Sequence, residues 1–165
     1  MTSRADSIAD REQALSLPDA ASHLLNEARM VLPGIQALFG FQLIAVFNPG
    51  FSQALSAGEQ QLHLAATVLV AGAAAVVMTP AALHRQIEPR AVSDRFVLVS
   101  SRLLLWSMLP LALGIVTDLY LVARVVLRNS GQAAIIALGL LALYAALWLG
   151  LPRALARQQR INRGG

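Results

Sequence analysis

Four long apolar runs alternate with polar gaps along this chain, at roughly residues 30–51, 62–83, 96–122 and 132–151. Each supplies the roughly 20 mostly apolar residues that a helix rising about 1.5 Å per residue needs to cross the hydrocarbon core. The pattern predicts an all-α integral membrane protein, a four-transmembrane-helix bundle over 30–151. A different pattern precedes the first run. After Ser16 and Pro18, the residues Ala21, Leu24, Leu25, Ala28 and Leu32 recur at three- and four-residue spacing, with His23, Asn26, Glu27 and Arg29 largely off that stripe. This predicts an amphipathic interfacial helix over 16–29, with a bend at Pro33-Gly34 where it feeds the first span. Residues 1–15 are polar and aperiodic and are expected to be disordered; 152–165 form a basic tail.

Composition supports this reading: hydrophobic residues make up 56% of the chain and charged ones 13%, against about 25% charged in an average soluble domain. The net charge of +4 comes from arginine alone, because the chain has no lysine. Ten arginines fall in the N-terminal segment, the second gap and the tail, two in the third gap, none in the first gap, and Arg102 lies inside the third run. By the positive-inside rule both termini are cytoplasmic. The charge is therefore an orientation signal, and no nucleic-acid partner is expected. Some thirty residues, five of them acidic, precede the first run, unlike a cleaved secretory signal, so it is read as a retained span. A bacterial inner membrane is the expected location.

With no cysteine, the chain has no disulfide, thiolate nucleophile or cysteine-ligated metal. It carries no P-loop, dinucleotide glycine fingerprint, G-x-S-x-G elbow or HExxH pair. No enzyme activity, cofactor or metal is expected. His63 falls on the opposite side of the membrane from His23 and His84. Those two fall on the same side as Glu27, a combination suited to a metal or pH-sensing site, but neither has a partner at ligand spacing.

Polar groups inside the runs are the candidate functional residues, since a charge in hydrocarbon is costly and faces protein or water. Asp118 lies near the outer end of the third run, and Ser107, Pro110, Gly114, Thr117 and Asp118 share a helical face. Asp118, with Thr117, is a candidate proton or cation site approached by water from outside; the alternative is an interfacial aspartate that reaches headgroup water or pairs with Arg128 or His63. Arg102 lies about 24 Å from Asp118 on nearly the opposite face, so the two cannot pair. It is expected to snorkel to phosphate or to meet an acidic group at the inner interface. Gln36 and Gln42 would waste hydrogen bonds facing lipid and are expected to point into the bundle or an oligomer seam.

Small residues along the second run, Ala66 and Ala71 to Ala75 with Gly72 among them, and the stripe Ala142, Ala146 and Gly150 on the last run permit close helix packing. The contact is either within one chain or in a homo-oligomer. Arg153, Arg157 and Arg160 share one face just past the last run and are expected to contact anionic lipid headgroups at about 1 kcal/mol each.

The strings Leu25-Asn26-Glu27-Ala28-Arg29, Leu32-Pro33-Gly34-Ile35-Gln36 with Leu38-Phe39, and Pro80-Ala81-Ala82 with His84-Arg85 resemble those of a bacterial family of small four-span proteins of uncharacterised function. Some members of that family are labelled sodium/proton antiporters. The resemblance covers about 120 residues, from the interfacial helix through the third run, and leaves Gln42 and Asp118 unmatched. It implies the same fold and topology. On that topology both strings fall at the cytoplasmic side, and a polar cluster of Glu27, Arg29, Gln36, His84, Arg85 and Arg102 is expected at the inner mouth of the bundle. Two functions follow as expectations: a small oligomeric ion channel or cation/proton transporter, or a non-catalytic membrane module that binds lipid or a partner membrane protein.

Overall fold

Helix boundaries follow the capping chemistry written into the polar gaps. The computed structural model describes residues 16–87 and 93–163, so the expected disordered segment 1–15 lies outside the described residues. Helix α1, Leu17–Val46, opens at Ser16, whose hydroxyl accepts from the Asp19 amide at 3.4 Å, with Pro18 in its first turn. Pro33 lies inside this helix and does not end it. The expected interfacial helix and first span are thus one 30-residue element, about 45 Å long. A proline removes only one backbone donor, and Ala28 and Ile35, buried on either side of it, keep the same face against the core.

Asn48 turns the chain by accepting from the Gly50 amide at 2.9 Å, and a single helical turn, α2, spans Phe51–Ala54. Helix α3, Ala57–Ile87, begins with a capping box in which the Ser56 amide and hydroxyl donate to Glu59 Oε2 at 2.8 and 2.7 Å, while Ser56 Oγ accepts from the Glu59 amide. Helix α4, Asp94–Leu127, starts at Ser93 and stops where Arg128 turns left-handed at φ 52°. Asn129 then caps α5, Ser130–Ala145. A π-helical turn, Ala146–Gly150, leads into α6, Leu151–Arg163, so the expected basic tail is helical as far as Arg163. Four helices are long and apolar enough to cross a membrane, which suggests an integral membrane protein.

The core is a three-helix unit with a seven-residue period. Buried positions recur as Ala21, Ala28, Ile35 and Gln42 on α1, as His63, Val70 and Val77 on α3, and as Ser100, Ser107, Gly114 and Leu121 on α4. That period is the signature of helices in left-handed supercoil packing. The α3–α4 contact is the most extensive. A Cβ on Gly114 would come within 2.7 Å of Val70 Cγ2 and 3.1 Å of the Ala66 carbonyl oxygen, so any side chain there would have to displace Val70. Helix α5 packs on α4 through Ala133 and Ala137 and makes no comparable contact with α1 or α3. The bundle is therefore three helices with a fourth at its flank, and the stripe Ala142, Ala146 and Gly150 is exposed in the single chain.

Candidate functional site

Three polar side chains from three different helices meet at the end of the core that carries α2 and the α4–α5 turn. Gln42 lies in the second-last turn of α1, His63 two turns into α3, and Asp118 some nine residues before the end of α4. Gln42 and His63 are buried, and the Asp118 side chain keeps 18% of its exposure. The Gln42 Nε2 donates to Asp118 Oδ2 at 2.5 Å. His63 Nδ1 lies 3.1 Å from Asp118 Oδ1, and His63 Nε2 lies 3.0 Å from the Gln42 backbone carbonyl oxygen. The Thr67 hydroxyl donates to the His63 carbonyl one turn along, and Phe51 of α2 meets the imidazole edge-on with ring centroids 5.2 Å apart.

This geometry determines where protons sit. A backbone carbonyl only accepts, so His63 Nε2 carries a hydrogen. Nδ1 then faces a carboxylate oxygen, and that contact is attractive only with a proton between them. It belongs either to an imidazolium beside a carboxylate or to a carboxylic acid donating to a neutral imidazole. Both forms make the His63–Asp118 pair neutral overall. Without that proton two lone pairs would face each other in a low-dielectric site.

Above the triad lies a cavity of about 540 Å³ between α1 and α4, with Phe51, Ala54 and Leu55 along its rim. Its walls are otherwise aliphatic and aromatic, and its polar lining comes from Gln42, Asn48, His63 and Asp118. One turn further out, Arg124 Nε pairs with Glu59 Oε1 at 2.5 Å and its Nη1 reaches the Ala54 carbonyl, joining α4 to α3 and α2. Gln42 Oε1 is buried without a hydrogen-bond partner.

The other expected residues are placed differently. Thr117 is half-buried and outside the triad, and Arg128 is exposed at the helix end. The six residues expected in a cluster at the opposite end do not assemble: no hydrogen bond or ion pair joins Glu27, Arg29, Gln36, His84, Arg85 and Arg102 among the described residues. Gln36 turns outward because it is one position past Ile35 on the seven-residue stripe, and Arg29, Arg85 and Arg102 are exposed for the same reason of register. Glu27 lines a second cavity of about 350 Å³ with Ser101, Ser107 and Trp148. His84 packs against Phe96 with its Nδ1 buried and unpartnered. Arg153 donates to the Leu149 carbonyl at 3.2 Å, Arg157 is exposed, and the Arg160 side chain lies outside the described residues. Among the described residues no group of three acidic or histidine side chains is placed to hold a metal ion.

Sequence reasoning named His63 only as an alternative partner for Asp118 and Gln42 only as an inward-facing amide. A signal for the triad was present in depth: all three lie within about ten residues of a helix end on the same side of the bundle. No curated protein and no solved structure matches this chain. A family model matches residues 18–152, from the first turn of α1 to the start of α6, and the chain therefore belongs to the family of unknown function DUF6328.

Proposed function

We propose that this protein binds and passes protons in the membrane, as a small proton channel or proton-coupled transporter, with His63 and Asp118 as its loading site on the outer side. The carrying observation is the imidazole held between two acceptors, which requires a bound proton. Loading and release change the pair by one proton: carboxylate and neutral imidazole take up H⁺ to become the neutral, hydrogen-bonded pair, and release it in reverse. A metal cation fits less well, because Gln42 Nε2 donates to one carboxylate oxygen of Asp118 and His63 Nδ1 is hydrogen-bonded to the other. The arginine distribution supports the outward sidedness. Inward of Asp118 the buried face of α4 carries Ser107 and Ser100, and α3 ends near His84, so polar groups continue towards the cytoplasmic end.

The alternative is a non-catalytic module that binds lipid or a partner membrane protein. The close packing of Gly114 on Val70 and Ala66 favours it, because this dry contact interrupts the polar line. Proton flux into liposomes under an imposed gradient separates the two. Flux above empty vesicles that Asp118→Asn and His63→Gln both abolish is the expected result; no flux from correctly inserted protein would discard the transport reading.

A further inference from the structure

We infer that a second copy of this chain packs against the face of α1 that carries Gln36, in a parallel twofold dimer whose two Gln36 amides hydrogen-bond to each other. This contact is independent of the proton reading. It follows from an amide left without a partner in the middle of a span.

Gln36 is exposed, and its side chain makes no hydrogen bond among the described residues. Its depth makes that costly. Gln36 lies seven residues, about 10 Å, beyond Arg29, the last charged side chain of α1, and ten residues, about 15 Å, short of the helix end at Val46. A glutamine side chain is too short to reach headgroup water from there, and hydrocarbon offers neither donor nor acceptor.

The residues around Gln36 leave room for a neighbour. At about 100° per residue, Arg29, Gly40 and Leu43 fall within about 40° of it on the helix surface. A Cβ built on Gly40 would meet no atom within 4 Å, so no contact inside the chain calls for glycine there, in contrast to Gly114. Glycine weakens a helix relative to alanine, and in a span it lets another backbone approach closely. The fourth span does not cover this face: α5 packs on α4, and α1 is the least buried of the three core helices. Phe41 and Ala45 of the larger cavity, and Glu27 and Val31 of the smaller one, lie about 140–180° round α1 from Gln36. A contact at Gln36 therefore leaves both cavities open.

An identical copy is the partner this surface fits. A primary amide both donates and accepts, so it is complementary to itself. A twofold axis along the membrane normal brings each residue to its own counterpart at equal depth, a condition that copies inserted in one orientation meet without further design. A different protein would have to present an amide at this one depth. A single polar residue in an otherwise apolar helix seam also fixes register and the number of partners. Arg29, one seven-residue repeat from Gln36, is at headgroup depth, where the two guanidiniums turn away from the seam to separate phosphates.

The test exploits a chain without cysteine. Leu43→Cys places one thiol on the Gln36 face and Phe41→Cys one on the cavity side, each with Gln36 retained. In liposomes with lipid in large excess, oxidation should cross-link the Leu43→Cys protein as a dimer and leave the Phe41→Cys protein monomeric. Single-molecule photobleaching of the fluorophore-labelled full chain, at increasing lipid dilution, should return a monomer–dimer equilibrium. Gln36→Leu should weaken that association about tenfold, equivalent to about 1.4 kcal/mol and within the range for polar contacts between membrane helices, with an unchanged circular dichroism spectrum. Gln36→Asn, which keeps an amide, should weaken it less. The cross-linking arm keeps Gln36 and so does not depend on how these variants fold. A chain that is monomeric at every dilution, cross-linking through Phe41→Cys in place of Leu43→Cys, or a dimer that Gln36→Leu leaves at full strength would overturn the contact. Association is read without proton movement, so flux from a monomer overturns the dimer alone, and a dimer without flux overturns the transport reading alone.

Discussion

His63 on α3 and Asp118 on α4 share one hydrogen bond, Nδ1 to Oδ1 at 3.1 Å, while the other imidazole nitrogen is 3.0 Å from a carbonyl of α1. One imidazole therefore joins all three core helices, and each of its two contacts is a hydrogen bond only when a hydrogen lies between the ring nitrogen and the facing oxygen.

That dependence is visible spectroscopically. Nitrogen-15 spectra of His63 should show Nε2 protonated throughout, with Nδ1 either protonated or hydrogen-bonded to an acid proton. A His63 bearing its only proton on Nδ1 would contradict the assignment.

Asp118→Ala leaves the Gln42 amide and His63 without their acceptor, and should cost about 1–3 kcal/mol. A double-mutant cycle with His63→Ala should return a coupling of about 1 kcal/mol, in the range found for polar contacts between membrane helices. Strictly additive single-mutant losses would mean that the contact adds nothing to stability.

Gly114→Ala places a methyl against Val70 Cγ2 and the Ala66 carbonyl oxygen and should cost about 1–3 kcal/mol. Val70→Ala in the same chain should recover part of that loss, since it removes the nearer of the two obstacles, but the backbone oxygen stays. Reversible unfolding in mixed micelles would measure both.

Glu27→Gln should leave stability within about 0.5 kcal/mol, because Glu27 makes no ion pair or hydrogen bond among the described residues. Ser56→Ala, by contrast, removes a cap at the start of α3 and should cost about 1 kcal/mol. Amide exchange in the first turn of α3 would rise in the second variant and not in the first.

The number of spans was legible in the chain, because hydrocarbon demands about 20 apolar residues, whereas the caps Ser56, Ser93 and Asn129, which set where three of the helices start, were not singled out there. The cost of an unpaired amide in lipid also pointed Gln42 inward, which the buried side chain matches, but the same argument applied to Gln36, which is exposed in the single chain. Register was harder to read. In a soluble helix the buried stripe is the apolar one, but in an apolar run nearly every position is hydrophobic, and the inward stripe mixes small or polar residues such as Ala28, Ser100, Ser107 and Gly114 with Ile35, Val70, Val77 and Leu121. Gln36 and Gln42 look alike in sequence and differ by six positions, which is not a whole number of seven-residue repeats, so one is buried and the other exposed.

What the amino-acid sequence alone determined is therefore what depends on local transfer energy and capping: an all-helical chain with four apolar helices, and a carboxylate at a depth where it must find a partner. Which partner it finds was decided only by tertiary packing. Gln42, His63 and Asp118 are separated by 21 and 55 residues, and they meet because Gly114 lets α4 approach α3 closely while the seven-residue stripe of α1 turns Gln42 towards both. The inner cluster failed to form for the same reason. Nearness to one membrane face brings residues to a common depth, but only helix rotation and interaxial distance bring their side chains into contact.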